Sequence, residues 1–138
     1  MSATAGRHRF RPRVLDGGPP SEIARELEAT DSDPEGVGIM LRKARIYPVR
    51  LDGVPLKAAP ILKQELLSVG GDAAHARGVA DHSVAESPAV LLATWGQYQH
   101  LLPKLRRQPF GEALQPDLAQ HLAPRRLPLV AGDAAHLQ

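Results

Sequence analysis

The sequence predicts a small α/β domain of two or three layers, in which a short parallel or mixed sheet of about three strands packs against about four helices. Three segments carry this prediction. Residues 56–72 have the apolar spacing of an amphipathic helix, and residues 45–51 alternate apolar and polar side chains as a strand does. Residues 88–94 form a continuous apolar run between turn residues, which is typical of a strand inside a sheet.

The first third of the chain predicts a lead-in, a strand and a helix. Residues 1–9 are basic and are expected to be a disordered lead-in. Residues 10–15 alternate loosely and predict a first strand. Ser21 is a suitable N-cap for a helix over residues 22–30, because its side chain can accept a hydrogen bond from a free helical N–H. A single domain is expected over residues 10–122.

The helix over residues 56–72 is the longest clean amphipathic segment of the chain. Proline fits the first helical turn, so the regular helix is expected to begin near Ala59 or Pro60. Gly70 and Gly71 predict its end, because glycine tolerates a positive φ. The apolar residues expected on one face are Ala58, Ile61, Leu62, Leu66 and Val69.

The second half of the chain predicts one strand and two helices. Residues 88–94 are expected to be buried on both faces of the sheet. Residues 97–107 predict a helix, and residues 112–122 predict a weaker one that Pro124 ends. The first of these helices is expected to bury Tyr98, Leu101, Leu102 and Leu105. Residues 123–138 predict an irregular tail or an orphan hairpin, which is marginal alone.

Composition excludes several classes of protein. The 138 residues include no cysteine, so disulfides and thiolate metal sites are excluded. The formal net charge is only +2 and aromatic residues make up 4% of the chain, which argues against a nucleic-acid partner. No segment approaches the roughly 20 apolar residues that cross a bilayer, and the first residues lack the apolar run of a secretory signal. We therefore expect a cytoplasmic protein with neither a nucleic-acid nor a membrane partner.

The polar segment after the central helix holds the candidate metal ligands, which are Asp72, His75, Asp81 and His82. Carboxylate and imidazole groups bind divalent metals, but a site needs several of them to converge. Nothing in the spacing shows convergence, so a solvated loop is the favoured interpretation and a metal site the weaker one. No nucleophile triad, paired acid or phosphate-binding loop is present, and we predict no catalytic or cofactor-binding residue.

Two further features have both a structural and a functional interpretation. Gly70 and Gly71 could hold a phosphate, but they follow a helix end, where the dipole is negative, so a helix stop is favoured. Trp95, Tyr98 and Phe110 cluster near the end of the buried strand. They predict a contact in the core or between domains rather than a ligand-binding pocket, and we take them as interface candidates.

Four segments together resemble one known family, and they are residues 36–40 (GVGIM), 58–65 (AAPILKQE), 67–74 (LSVGGDAA) and 108–111 (QPFG). They are similar to the N-terminal extension that some bacterial and archaeal dihydropteroate synthases carry before their catalytic barrel. The resemblance spans residues 14–122, and its most specific part is the LKQE…GGDAA stretch. Pro60 departs from the pattern, because the extension usually has a polar residue at that position.

The resemblance implies a reaction whose catalytic barrel is missing here. Dihydropteroate synthases join a dihydropterin diphosphate to p-aminobenzoate at the strand ends of a (β/α)₈ barrel. Such a barrel takes about 250 residues, so this chain cannot contain one. The resemblance therefore implies no catalytic residue in this chain and magnesium only in the barrel. It implies a dihydropteroate synthase barrel as partner, in the same chain or a separate one, with a homodimer as a further partner.

The leading interpretation is a non-catalytic accessory domain, or a truncated form, of a dihydropteroate synthase-like protein of folate biosynthesis. It predicts an exposed apolar patch that the barrel would cover. The alternative is an independent small-ligand or metal-binding domain that uses residues 70–82. A third interpretation, a basic nucleic-acid-binding module, predicts binding that weakens steeply with salt.

Overall fold

The structure is a computed structural model that describes residues 9–16 and 18–125. In this part of the chain five α-helices and three strands follow one another in the order ααβαββαα. The helices are α1 Pro20–Glu28, α2 Pro34–Leu41, α3 Ala59–Ser68, α4 Trp95–Arg106 and α5 Gly111–Leu122. The strands are β1 Val49–Pro55, β2 Asp72–His75 and β3 Glu86–Leu92, and short 3₁₀ helices lie at Arg77–Val79 and Ala123–Arg125. Every helix of the described residues is too short or too polar to span a lipid bilayer.

The three strands form one sheet in which β3 lies between β1 and β2. Both pairs are antiparallel, with Leu51 opposite Ala89 and Ala73 opposite Leu91. β1 and β2 therefore run in the same direction on either side of β3, and α3 connects them, which is a split β-α-β arrangement. The prediction of a small α/β domain with a three-stranded sheet is confirmed. The strand pairs are antiparallel rather than parallel.

The central strand β3 buries one face only. Ser87, Ala89 and Leu91 are buried, whereas Glu86, Pro88 and Leu92 are exposed. The prediction that residues 88–94 are buried on both faces is therefore wrong, and the strand begins two residues earlier. The described helices supply apolar side chains to the face of Ala89 and Leu91, and the other face of the sheet stays open to solvent.

The hydrophobic core lies between this sheet face and three helices. It contains Leu62 and Leu66 of α3, Leu118 and Leu122 of α5, and Leu91 of β3. Helix α4 contributes most of the fully buried bulk with Trp95, Tyr98, Leu101, Leu102 and Leu105. At about 1.5–3 kcal/mol for each large apolar side chain, α4 is a principal source of hydrophobic stabilisation.

Helix α3 begins and ends where its sequence predicts. Its first residue is Ala59 with Pro60 in the first turn, and Gly70 after its C-cap has a φ of +93°. Ala58, Leu62 and Leu66 are buried as expected, but Ile61 is 38% exposed. The buried stripe is therefore narrower than predicted and contains Ala59 in place of Ile61.

Strand β1 begins later than predicted and continues four residues past the predicted segment, to Pro55. Residues 45–51 were the expected strand, but only residues 49–51 of that segment belong to β1. The register shifts between Leu51 and Val54, and Gly53 has a φ of +66°, so the Asp52-Gly53 pair forms a bulge inside the strand rather than its end. Pro48 precedes β1 and Pro55 ends it, which suits a strand at the sheet edge.

The N-terminal elements differ most from the prediction. No strand forms over residues 10–15, where Phe10 is 79% and Val14 is 84% exposed, because these residues find no strand to pair with among the described residues. Helix α1 starts at Pro20 rather than after Ser21, since proline has the helical φ preset. The predicted lead-in and hairpin lie outside the described residues, except Arg9 and residues 123–125.

Candidate functional site

The first predicted site residue, Asp72, is committed to an ion pair. It opens β2, where the structure has a strand rather than the predicted loop. Its Oδ1 atom accepts a 2.8 Å hydrogen bond from Nζ of Lys63 and a 2.7 Å bond from the N–H of Ala73. The hydrogen bond from Lys63, followed by that from Ala73, lowers the pKa of Asp72 below its ordinary value. Asp72 therefore positions Lys63 rather than facing an open site.

The second predicted pair, Asp81 and His82, forms a turn. Oδ1 of Asp81 accepts a 3.0 Å hydrogen bond from the N–H of Ser83, and bonding to Ser83 lowers the pKa of Asp81. His82 between them has a φ of +62°, which is uncommon for a residue other than glycine. The turn thus holds the His82 side chain in a direction that an extended or helical backbone would not give it.

His75 and His82 are brought to one open cleft by β2 and by the turn that follows the 3₁₀ helix Arg77–Val79. We call it the Lys-His cleft, because Lys57 and Lys63 line it as well. Its volume is about 430 Å³, and its apolar lining residues are Leu56, Pro60, Val79 and Ala80. Gln64 completes the lining among the described residues. The cleft therefore combines four basic side chains and one amide with an apolar lining.

The four predicted metal ligands do not come together. Asp72 and Asp81 lie outside the lining of the Lys-His cleft, which receives only the two histidines. Within residues 9–16 and 18–125, no group of three or more His, Asp or Glu side chains is arranged to hold a metal ion. Two lysine ammonium groups beside two imidazoles repel a cation. The donor set of this cleft suits an anion better than a metal.

The three interface candidates occupy different environments. Trp95 and Tyr98 are 1% and 0% exposed and belong to the core of the domain. The hydroxyl of Tyr98 donates a 2.6 Å hydrogen bond to the carbonyl oxygen of Tyr47, and burial raises the pKa of Tyr98. Phe110 is half-buried and packs against the core at its edge. Of the three side chains, only Phe110 is partly exposed to solvent and so available for contact with another molecule.

Phe110 lines a second cleft, between strand β1 and helix α5, with a volume of about 560 Å³. We call it the β1-α5 cleft. Helix α5 supplies Ala113, Leu114 and Leu118 to one wall, and β1 supplies the opposite wall with Val49, Leu51 and Val54. His121, whose Nδ1 lies 3.2 Å from Oδ1 of Asp117, also lines this cleft. This surface is mainly apolar and adjoins the last described residues of the chain.

Sequence reasoning missed the lysines of the first cleft and the whole of the second. Lys57 and Lys63 lie on the polar side of the central helix, where solvated lysines are usual, so their position gave no signal. The second cleft had a signal in Phe110, Leu114 and Leu118, which recur every four residues. The pattern shows that these side chains share a face, but it does not show that part of this face stays open.

Gly70 and Gly71 end a helix, as expected. The N–H of Gly71 donates a 2.9 Å hydrogen bond to the carbonyl oxygen of Leu66. A Cβ atom on Gly71 would lie 2.7 Å from the carbonyl oxygen of Leu92, so the glycine allows α3 and β3 to approach each other. The helix-stop interpretation is confirmed.

Two curated proteins are similar to this chain in sequence. The "Bifunctional dihydropteroate synthase/dihydropteroate reductase" of Helicobacter pylori is 40% identical over 87 residues, which cover 60% of this chain and 22% of that protein. The "Probable bifunctional folylpolyglutamate synthase/dihydropteroate synthase" of Halobacterium salinarum is 35% identical over 107 residues, which cover 77% of this chain and 13% of that protein. The chain thus spans less than a quarter of either relative.

No family model matches the sequence, and no solved structure matches it. The two relatives share the words dihydropteroate synthase in their names. This chain is therefore related in sequence to a part of bifunctional proteins that include a dihydropteroate synthase.

Proposed function

We propose that this chain is a non-catalytic accessory domain of a dihydropteroate synthase-like protein of folate biosynthesis, corresponding to the extension that precedes the barrel. The similarity to the Halobacterium salinarum protein over 77% of this chain carries the proposal. It covers most of the folded domain rather than one short motif. A cytoplasmic location belongs to the same proposal.

The proposed lack of catalysis follows from the architecture that the reaction needs. In the family reaction, dihydropterin diphosphate and p-aminobenzoate meet at the strand ends of a (β/α)₈ barrel, which takes about 250 residues and eight parallel strands. This chain has 138 residues, and its described part forms three antiparallel strands. The magnesium ion of that reaction is assigned to the barrel, because the described residues bring no set of metal ligands together.

We assign the contact with the barrel to the β1-α5 cleft. Its walls are mainly apolar. Three of their side chains are only partly buried, which are Leu51 of β1, Phe110 at the N-cap of α5 and Leu114 of α5. The cleft lies beside the last turn of α5, from which the chain continues through Ala123–Arg125. The relatives are several times longer than this chain, so a much larger body adjoins the matching region in them. We therefore take the occupant of the β1-α5 cleft to be a barrel surface with protruding apolar side chains.

The first test is enzymatic. The purified chain is incubated with dihydropterin diphosphate, p-aminobenzoate and magnesium, and dihydropteroate is measured. The proposal predicts no turnover by the chain alone. Measurable synthesis of dihydropteroate by this polypeptide would overturn the proposed non-catalytic role.

The second test is binding to a dihydropteroate synthase barrel from the same organism, measured by titration calorimetry. Ala113 is exposed on α5 and lines the cleft, so Ala113→Arg is expected to weaken binding about tenfold or more while leaving the fold intact. Gln120→Arg is the matched control, because Gln120 is exposed on the same helix and lies outside the cleft. Equal binding by both variants would exclude this cleft as the contact surface, and no binding by the unmodified chain would exclude the partner.

A second candidate function is a small-ligand domain that uses residues 70–82. The observation that favours it is the joint position of His75 and His82 in the Lys-His cleft. The metal-binding form of this candidate is disfavoured by the two lysines at the same cleft. The form that remains is the binding of an anion.

A further inference from the structure

We infer that the Lys-His cleft is a binding site for a small organic anion, in which an apolar or aromatic body lies on the apolar lining and a phosphate or carboxylate group contacts the basic side chains. This site is separate from the β1-α5 cleft and does not depend on a barrel partner. The inference rests on charge, on free hydrogen-bond donors and on the shape of the cleft.

The charge of the cleft is unlike that of the whole chain. The chain has 17 basic and 15 acidic residues, so the two signs nearly balance. Among the described residues that line the cleft, Lys57, Lys63, His75 and His82 are basic and none is acidic. Asp72 offsets part of the charge of Lys63 from outside the lining. The local excess of positive charge remains with Lys57.

Hydrogen-bond donors are available at this site. In the described part of the chain the ammonium group of Lys57 has no carboxylate or hydrogen-bond partner. Nζ of Lys63 donates to Asp72 and to the carbonyl oxygen of Ala73, both at 2.8 Å, which leaves one of its three N–H groups unused. An anion in the cleft would supply acceptors for these donors. Charge-assisted bonds of this kind are stronger than neutral ones.

His75 has a defined orientation. Its Nδ1 atom lies 3.1 Å from the carbonyl oxygen of Ala76, and because a carbonyl only accepts hydrogen bonds, we assign the proton of the ring to Nδ1. The Nε2 atom has no partner among the described residues.

The entry to helix α3 adds to the positive potential. Leu56, Lys57 and Pro60 of this entry line the cleft. The N-cap residue Ala58 has no side-chain acceptor, and the first turn contains no acidic residue. No carboxylate of this first turn therefore offsets the partial positive charge of the helix N-terminus. It supports the basic side chains and does not define the site by itself.

The apolar lining decides what kind of anion fits. Val79 and Ala80 follow β2, while Leu56 and Pro60 come from the entry to α3. A fully hydrated inorganic ion would gain nothing from these residues, whereas a ring would bury apolar area against them. The volume of about 430 Å³ lies within the range of small-molecule sites. The site therefore favours an anion that carries an apolar body.

The experiment uses three probes at pH 7, which are phenyl phosphate, inorganic phosphate and benzyl alcohol. Binding is followed by NMR through the imidazole signals of His75 and His82. We expect phenyl phosphate to shift both signals in a saturable way and to bind more tightly than either of the other probes. Absence of a saturable shift at millimolar phenyl phosphate overturns the site. Equal affinity for inorganic phosphate overturns the role of the apolar lining.

Variants separate this site from general attraction to a basic protein. Lys57→Gln is expected to weaken binding of phenyl phosphate about tenfold, as loss of a charge-assisted contact does. His82→Gly removes the imidazole but suits the backbone, because glycine adopts a φ of +62° without strain. Arg107→Gln is the matched control, since it removes one exposed positive charge outside the cleft. Equal weakening by Arg107→Gln overturns the inference, and unfolding in urea verifies that each variant is folded.

Discussion

The hydroxyl of Tyr98 donates a 2.6 Å hydrogen bond to the carbonyl oxygen of Tyr47, which lies 51 residues earlier in the chain. Tyr98 is in the first turn of α4 and is fully buried, and burial raises its pKa, so the hydroxyl keeps its proton. The N–H of Tyr47 donates to the carbonyl oxygen of Ala93 at 2.9 Å. The segment that leads into β1 is thus held from two sides, by α4 and by the chain after β3.

Replacing Tyr98 with Phe should lower the free energy of unfolding by about 1–3 kcal/mol, because the partly buried carbonyl oxygen of Tyr47 loses its donor. Urea unfolding monitored by circular dichroism measures the effect. Tyr47→Phe is the control, since Tyr47 accepts this bond through its backbone and its own hydroxyl is not needed. Equal destabilisation by the two variants would contradict the role of this bond.

Two glycine substitutions should act in opposite directions. Gly70 has a φ of +93°, and a Cβ atom there would lie 2.9 Å from Nε2 of Gln97. Gly70→Ala is expected to lower stability by about 1–2 kcal/mol. Gly36 lies inside α2 with no atom within 4 Å of an added Cβ, so Gly36→Ala should raise stability by about 0.5–1 kcal/mol. Thermal unfolding of both variants checks the two signs, and destabilisation by Gly36→Ala would refute the second.

Asp72 should make stability depend on pH. The hydrogen bond from Lys63 lowers the pKa of Asp72 below its ordinary 3.8, so the folded state prefers the ionised carboxylate. Its stabilisation is present above pH 3.8 and is lost as the pH falls through the lowered pKa. Wild type should therefore exceed Asp72→Asn in stability at pH 7, and the difference should vanish in strong acid.

The same substitution in a Lys63→Gln background is the control for this pH dependence. Without the ammonium group, Asp72→Asn should have a clearly smaller effect at pH 7, because the first cause of the lowered pKa is gone. Urea unfolding at both pH values supplies the four stabilities of this double-mutant cycle. An unchanged difference in the Lys63→Gln background would show that the ion pair does not carry the effect.

The left-handed backbone of His82 predicts an order of stability among its substitutions. His82→Val should be less stable than His82→Gly by roughly 1–2 kcal/mol, because a β-branched residue resists a φ of +62° that glycine adopts freely. The midpoints of urea unfolding measure this difference. The opposite order would mean that the turn at Asp81 to Ser83 does not impose this backbone in solution.

Neighbouring leucines of α3 should respond very differently to truncation. Leu66 is 0% exposed in the core, so Leu66→Ala should cost about 2–5 kcal/mol through lost burial and a cavity. Leu67 is 44% exposed, and Leu67→Ala should cost less than about 1 kcal/mol. Similar costs at both positions, measured by calorimetry, would contradict the orientation of this helix.

Local signals were enough to predict four of the five helices, all except α2. The spacing of Leu62 and Leu66, the glycine at position 70 and the inward residues of α4 all act within one or two helical turns. Thr94 and Gln97 add a complete capping box at the start of α4, which sets its beginning two residues before the predicted one. Such signals need no information about distant parts of the chain.

The sheet could not be predicted to the same degree, because strand pairing depends on distant residues. Strand β2 has the sequence DAAH, which contains no β-branched or aromatic residue, and it forms only because β3 offers it a partner. Residues 10–15 have a better strand pattern and stay unpaired. The antiparallel polarity likewise follows from the position of β3 between β1 and β2, which no local pattern contains.

At the candidate site, too, local sequence predicts some features, and others depend on distant residues. Sequence alone placed His75 and His82 in one polar segment, and the structure brings both to one cleft. It could not show that Lys63 would engage Asp72, or that Lys57 would stand beside the histidines. These two lysines are the reason for proposing an anion site rather than a metal site. Their positions depend on how α3 packs against β2.

The strand order has a consequence for biosynthesis. Since β3 lies between β1 and β2, neither outer strand has a hydrogen-bonding neighbour among the described strands until β3 itself, Glu86–Leu92, is synthesised. A nascent chain that stops earlier can form helix α3 but no part of the sheet. The emerging polypeptide therefore carries two strands with exposed backbone N–H and C=O groups until β3 is synthesised.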